Sequence, residues 1–160
     1  MEKRASLSSC RRYRYALFRH WEDRLPGVLF VGLNPSSADE EQDDPTLRRC
    51  IRYAQAWGYG HLCMVNLYAF RHPSPKGLFK AADPIGPENE QHLRRYLSQY
   101  LDCVLIWGNH GAKNDRYLEV LKLIEKPLCL KINKNGQPAH PLYLKGGLRP
   151  QPYNYEPPHQ

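Results

Sequence analysis

Residues 28–37 read VLFVGLNPSS, a short apolar run that ends abruptly in a polar turn. A continuous apolar run of this length predicts a strand that is buried on both faces of a parallel sheet. The same pattern recurs at residues 61–68 (HLCMVNLY) and at residues 103–110 (CVLIWGNH). Three such runs, each followed at once by polar residues, predict the centre of an α/β sheet.

Helical patterns separate these runs. Asp44 and Pro45 are typical of a helix N-cap and first turn, so we expect a helix from there to Trp57, with Gly58 ending it. Further helices are expected over residues 88–100 and 114–124, with a loop rich in proline and glycine over residues 73–87.

The ends of the chain complete the predicted sheet. Residues 12–19 alternate in polarity and carry aromatics, which indicates an edge strand, and residues 128–132 predict a fourth buried strand. We therefore expect an α/β, three-layer α/β/α sandwich with a largely parallel central sheet and an extra N-terminal edge strand. Residues 1–148 should form a single domain, and the proline-rich residues 149–160 a loose tail.

Composition excludes several classes of protein. Of the 160 residues, 41% are hydrophobic and 24% are charged, which argues against disorder. No apolar run approaches the roughly 18 residues of a membrane span, and the basic N-terminus lacks the apolar stretch of a secretory signal. We expect a cytoplasmic protein.

The five scattered cysteines form no metal-binding pattern, so no metal is expected. No other cofactor is expected either.

The net charge of +7 favours acidic partners, nucleic acid first. Residues 1–24 contain seven basic and three acidic side chains, and residues 113–149 contain eight basic and three acidic ones. Between them, residues 39–44 hold five acids in six positions. That cluster fits either a solvated loop or a carboxylate site beside a bound phosphate backbone.

Ligands of such sheets bind beyond the carboxyl ends of the strands. The polar residues at those ends are therefore the predicted substrate-binding residues, namely Gly32, Pro35, Ser36, Asn66, Gly108 and His110.

Three further residues are the candidate catalytic groups. Asn34 could hold a water molecule for attack, and Asp44 could orient it. The alternative for Asn34 is that it only satisfies backbone groups in the turn, and for Asp44 that it only caps the helix. His140, fixed by Pro141, could stabilise developing negative charge, although it could equally be a loop histidine whose neighbouring leucines reach the core.

The ordered runs LNPSSAD, DDPTLRRC, VNLYAFR, WGNHG and QPAHPLYL resemble a bacterial family called domain of unknown function 1643. The resemblance covers residues 11–148. It brings no established activity with it.

GLNPS, VNLYAFR, WGNHG and HPLYL are also similar, in their order, to motifs of the uracil-DNA glycosylase superfamily. This resemblance implies a fold that flips a base out of DNA and hydrolyses its glycosidic bond. It assigns Asn34 to positioning water, His140 to the base carbonyl, Asn66 to the base edge and Leu144 to intercalation.

The chain departs from that superfamily in three ways. Leu142 and Tyr143 replace a serine and a proline in the late loop, residues 37–52 lack the expected stacking aromatic, and the cysteines of the iron–sulfur branch are absent. Residues 72–75 (HPSP) match the late-loop motif literally but come too early, so we interpret them as a chance match.

These patterns predict a nucleic-acid-directed hydrolase that cleaves a base–sugar bond. Two alternatives remain open: a non-catalytic nucleic-acid or nucleotide binding module with a degenerate pocket, and a hydrolase of free nucleosides or nucleotides.

Overall fold

The computed structural model describes residues 1–154, which form an α/β structure around a seven-stranded mixed sheet. Within this part of the chain the strands are β1 (Glu2–Leu7), β2 (Arg14–His20), β3 (Gly27–Gly32), β4 (His61–Asn66), β5 (Cys103–Leu105), β6 (Pro127–Cys129) and β7 (Gln151–Pro152). The helices are α1 (Pro45–Ala56), α2 (Pro75–Lys80), α3 (Asn89–Gln99) and α4 (Arg116–Leu121).

The strand order is β1-β2-β4-β3-β5-β6-β7. The four central strands, β4, β3, β5 and β6, run parallel to one another. The pairs β1–β2, β2–β4 and β6–β7 are antiparallel. The prediction of a largely parallel sheet was therefore wrong, because the two ends of the chain add antiparallel strands to a parallel centre.

Helices cover both faces of this sheet. Along β3, Leu29 and Val31 pack in one cluster with Leu93 of α3, whereas Val28 and Phe30 pack in another with Leu47 of α1. Successive strand side chains point to opposite faces, so a strand buried on both faces needs this continuous apolar run. Residues of α2 and α4 belong to the same cluster as α3.

The N-terminal strand prediction needs one correction. Residues 12–19 do contain β2, but β2 is not at the edge, because β1 pairs with it on one side and β4 on the other. The sequence of β1, EKRASL, is polar and mostly exposed, which is typical of a strand that protects a sheet edge. Its lack of apolar alternation is why it was not predicted.

Two smaller differences concern helices and the C-terminus. The loop expected over residues 73–87 contains α2, which Ser74 caps with its side chain and Pro75 begins. In the expected tail, Gln151 and Pro152 pair with β6 and Tyr153 is buried. Residues 155–160 of that tail lie outside the described part of the chain. None of the helices in residues 1–154 is long and apolar enough to cross a membrane.

Candidate functional site

A cleft of about 700 Å³ lies at the carboxyl ends of β3, β4 and β5. Every predicted site residue lines it: Gly32, Asn34, Pro35, Ser36, Asp44, Asn66, Gly108, His110, His140 and Leu144. The parallel register explains this gathering, because Gly32 of β3 pairs with Asn66 of β4 and both residues end their strands. Polar residues that follow neighbouring parallel strands meet at one edge of the sheet.

The Asn34 side chain shapes the turn after β3. Its amide nitrogen donates hydrogen bonds to the backbone carbonyls of Pro35 (3.1 Å), Phe70 (3.3 Å) and His72 (2.9 Å). These bonds tie the β3 turn to the segment that follows β4. Within residues 1–154, Oδ1 of Asn34 has no hydrogen-bond partner, so this oxygen is the part of the side chain that can accept a bond from a ligand or from water.

Asp44 is the N-cap of α1. One carboxylate oxygen accepts the backbone N–H of Leu47 at 2.8 Å, and the other accepts that of Ala38 at 3.3 Å. Each oxygen keeps a further lone pair. The carboxylate is thus fixed in position at the cleft wall, where its charge raises the pKa of His140 against a larger effect of burial.

His140 begins a 3₁₀ turn, Pro141–Tyr143, in which its Nδ1 accepts the backbone N–H of Leu142 at 3.2 Å. Burial lowers the pKa of His140, which favours the neutral ring. A neutral ring that accepts at Nδ1 carries its proton on Nε2. Nε2 is therefore a hydrogen-bond donor at the cleft, with no protein acceptor among the described residues.

Gly108 makes room for His140. It adopts φ +74°, and a Cβ at this position would lie 3.3 Å from the Cβ of His140. Its backbone N–H donates to the carbonyl of Pro138 at 2.9 Å, which links the end of β5 to the segment leading into His140. A glycine is needed here because few other residues adopt this backbone conformation.

Asn66 lies at the floor of the cleft, with only 2% of its surface exposed. Its side-chain amide nitrogen is buried and has no partner in residues 1–154. Gly32 leaves space for it, since a Cβ at Gly32 would lie 2.7 Å from Oδ1 of Asn66. A buried amide without a partner is costly, so Asn66 is well suited to bind a ligand acceptor atom.

Leu144 lines the cleft but packs against the cluster around α1, and its carbonyl accepts a hydrogen bond from Arg49. The exposed apolar side chains of this loop are Leu142, at 44%, and Tyr143, at 88%. The resemblance assigned intercalation to Leu144 because it lies four residues after His140. In the structure the 3₁₀ turn leaves Leu142 and Tyr143, rather than Leu144, exposed to a partner. Both neighbours also line the cleft.

The HPSP segment was interpreted as a chance match, yet His72, Pro73 and Pro75 line the same cleft. The Nδ1 of His72 accepts the backbone N–H of Ser74 at 3.0 Å, which repeats the geometry of His140 and Leu142. Gly77 admits the ring, since a Cβ there would lie 1.9 Å from Cε1 of His72. The cleft therefore contains two histidine–proline turns, and only the later one was predicted to belong to it.

Arg14 of β2 is a buried, charged cleft residue that the sequence patterns did not indicate. Its alternation with Tyr15 was visible, but an edge strand would have left the guanidinium in solvent. Since β2 lies inside the sheet, Arg14 is 2% exposed, and burial lowers its pKa to about 10. An arginine within a strand that does not lie at the sheet edge is the sequence feature that would have indicated Arg14.

The acidic cluster is a structured loop and is largely paired with nearby bases. Arg19 donates to Asp43 at 2.9 Å and to the carbonyls of Asp39 and Gln42. Arg11 lies 2.8 Å from Glu40. Asp44 is the only member of this cluster that lines the cleft.

A second cavity of about 270 Å³ lies at the opposite end of the parallel strands. His20 and His61 line it with their rings stacked 5.2 Å apart, together with Tyr100. No predicted site residue contacts this cavity.

Fold and cleft together define an α/β protein with a cleft at the carboxyl edge of a mixed sheet. The chain belongs to the family described as protein of unknown function (DUF1643), whose model matches residues 14–142. This match confirms the predicted family. No curated protein and no solved structure matches the chain.

Proposed function

We propose that the chain hydrolyses the bond between a nucleobase and its sugar, in a nucleic acid or in a nucleotide. The observation that carries the proposal is the cleft itself, in which Asn34, Asp44, Asn66 and His140 come together from four separate segments. We also propose that the fold is related to that of the uracil-DNA glycosylase superfamily, which the helices on both sheet faces support.

The reaction adds water to the sugar C1′ while the base departs with the electron pair of the C1′–N bond, and a proton from the water ends on the base. Oδ1 of Asn34 and the carboxylate of Asp44 would hold the water. The Nε2–H of His140 would donate to the base carbonyl as negative charge develops there, and a neutral donor suits that task because it need not transfer its proton.

Nucleic acid as the substrate is supported by the net charge of +7 and by two exposed apolar side chains that line the cleft. Tyr143, 88% exposed beside the cleft, can stack on an unpaired base, and Leu142 can enter the gap left by a flipped one. We therefore propose that Leu142 and Tyr143, rather than Leu144, insert between or stack on the bases.

A binding module without turnover is the second candidate. The amide nitrogen of Asn34 already binds three carbonyls, and both oxygens of Asp44 already accept backbone N–H groups. Side chains so occupied could serve only to build the cleft. Binding without base release would favour this candidate.

Single-turnover base release distinguishes the two candidates. The substrates are labelled oligonucleotides, single- and double-stranded, that contain uracil, xanthine, hypoxanthine or a G·T mismatch, and free nucleotides are tested beside them. The proposal predicts release of at least one base by the wild-type protein. Salt-sensitive retention of the oligonucleotides without release supports the binding module instead.

Two substitutions at His140 separate chemistry from folding. In His140→Asn, the side-chain oxygen can still accept the Leu142 N–H, but the Nε2 donor is lost; His140→Gln offers a donor nearer to Nε2. We expect unchanged melting and loss of release, on the order of 100-fold or more, in the asparagine variant, with partial activity in the glutamine variant. Arg52→Gln, on the exposed side of α1, is the control and should retain full release.

A further inference from the structure

Three arginines are buried in the described part of the chain: Arg14, Arg19 and Arg116. Two of them are fully paired. Arg19 contacts Asp43 at 2.9 Å, and Arg116 contacts Glu119 at 2.8 Å and Glu90 at 3.1 Å. Backbone carbonyls accept the remaining donors of Arg19 and the Nε–H of Arg116. In these two residues, carboxylates and backbone carbonyls offset the cost of burying the charged guanidinium.

Arg14 is not compensated in this way. It has no carboxylate within 4.0 Å among the described residues, and the one hydrogen bond of its side chain is donated by Nη1 to the carbonyl of Ala38, at 2.9 Å. Its Nε–H is buried without a partner. The charge of Asp44 raises the pKa of Arg14 against the larger effect of burial, but among the described residues it makes no direct ion pair with the guanidinium. A buried charge without a direct partner is costly, so the guanidinium is well suited to bind an anion there.

The cleft gives such an anion access. Arg14 lines it, whereas Arg19 and Arg116 do not. Asn66 lines the same cleft with a second buried donor that lacks a partner, its amide nitrogen. Asp44 is the single acidic side chain of the lining, and both its oxygens accept backbone N–H groups.

We propose that Arg14 and Asn66 form a subsite for the terminal phosphate of a nucleotide. A guanidinium donates pairs of parallel hydrogen bonds that match phosphate oxygens. A terminal phosphate is specified because Arg14 is only 2% exposed, and a phosphate within a chain has a sugar on each side that would not fit so deep. This inference rests on the proposed function for the identity of the ligand as a nucleotide, but not on hydrolysis.

Binding is measured by calorimetry and by thermal unfolding of the full chain. The probes are inorganic phosphate, uridine and guanosine 5′-monophosphates against their nucleosides, and a 5′-phosphorylated oligonucleotide against its 5′-hydroxyl form. We expect each monophosphate to bind at least tenfold more tightly than its nucleoside, and the 5′-phosphorylated oligonucleotide at least tenfold more tightly than its 5′-hydroxyl form. Binding should also raise the melting temperature of the protein. The monophosphates and the oligonucleotide together reveal whether the phosphate comes from a free nucleotide or a strand end.

Three variants test the contribution of Arg14. Arg14→Gln should lose at least tenfold in affinity for phosphate, and its melting temperature without ligand should not fall, because the variant removes an unpaired buried charge. Arg14→Lys, which retains the charge without the paired donors, should bind at an intermediate level. Arg52→Gln, an exposed control, should bind phosphate as the wild type does.

Equal binding of phosphorylated and unphosphorylated probes by the wild type would overturn the subsite, as would undiminished phosphate binding by both Arg14 variants. Failure of the proposed hydrolysis is a separate result: phosphate binding that depends on Arg14, without base release from any substrate, leaves the subsite intact. Release of a base from a nucleoside 5′-monophosphate that is unaffected in Arg14→Gln rejects the subsite alone.

Discussion

At the scale of single residues, the cleft is built by side chains that satisfy the backbone at the ends of helical segments. Asp44 caps α1, Ser74 caps α2 and His140 caps its 3₁₀ turn. Sequence patterns predicted Asp44 as a cap and also as a candidate site residue, and the two roles share one carboxylate. Substitutions that retain the cap are therefore needed to isolate any chemistry.

Asp44 provides the first prediction. Asp44→Ala removes the acceptor for the Leu47 and Ala38 N–H groups and should lower the free energy of unfolding by about 1–2 kcal/mol. Asp44→Asn retains an acceptor oxygen and should cost less. Urea unfolding followed by circular dichroism measures both; an alanine variant as stable as the wild type would show that the cap contributes nothing.

Gly108 provides the second prediction. Gly108→Ala should cost about 1–3 kcal/mol, since φ +74° with ψ −172° is almost confined to glycine and the new Cβ would meet His140. Two matched controls exist. Gly147, also at positive φ, has nothing within 4 Å, so its alanine variant measures backbone strain alone, whereas Gly146→Ala should be nearly neutral. A Gly108→Ala variant no less stable than Gly146→Ala would be inconsistent with this account.

At the scale of elements, strands and helices with a strong local hydrophobic pattern could be predicted, whereas elements that depend on pairing with a distant part of the chain could not. β3, β4 and α1 could be predicted because an apolar run or a capped amphipathic helix specifies them locally. β1 was missed because its polar sequence gains stability only from pairing with β2. Without β1 the sequence places β2 at the sheet edge, so the burial of Arg14, which donates to the carbonyl of Ala38, was not expected either.

Amide hydrogen exchange tests whether β1 is locally less stable than β3. β1 is an edge strand with exposed and half-buried residues, whereas β3 is paired on both sides and almost completely buried. We expect the β1 amides to exchange at least 100-fold faster than those of β3, by local opening. Equal protection of the two strands would indicate that the sheet opens only as a whole.

At the scale of the whole molecule, the α/β class and the gathering of the polar strand ends around one cleft could be predicted, because both follow from where apolar runs end. The direction of the outer strands could not, since pairing between residues far apart in sequence decides it. The second histidine–proline turn was set aside because its position in the sequence does not show that Asn34 draws residues 70–72 to the cleft.

Stability should also depend on pH. Burial lowers the pKa of His140 and of His92, so below about 6.5 the unfolded chain binds protons more readily than the folded one. The free energy of unfolding should therefore fall as the pH is lowered through 6.5, and urea unfolding at pH 7.5 and 5.5 measures the loss. His92→Gln should reduce the pH dependence; equal stability at both pH values would contradict the burial of these rings.

Both proposals require that the chain binds its ligand in the cleft beyond β3, β4 and β5. Nuclear magnetic resonance tests it directly, by titrating labelled protein with uridine and guanosine 5′-monophosphates and a short single-stranded oligonucleotide. We predict that shifts concentrate at the amides of Gly32, Asn66, Gly108 and His140. Shifts concentrated around His20 and His61 in the second cavity, or none with any probe, would contradict the claim.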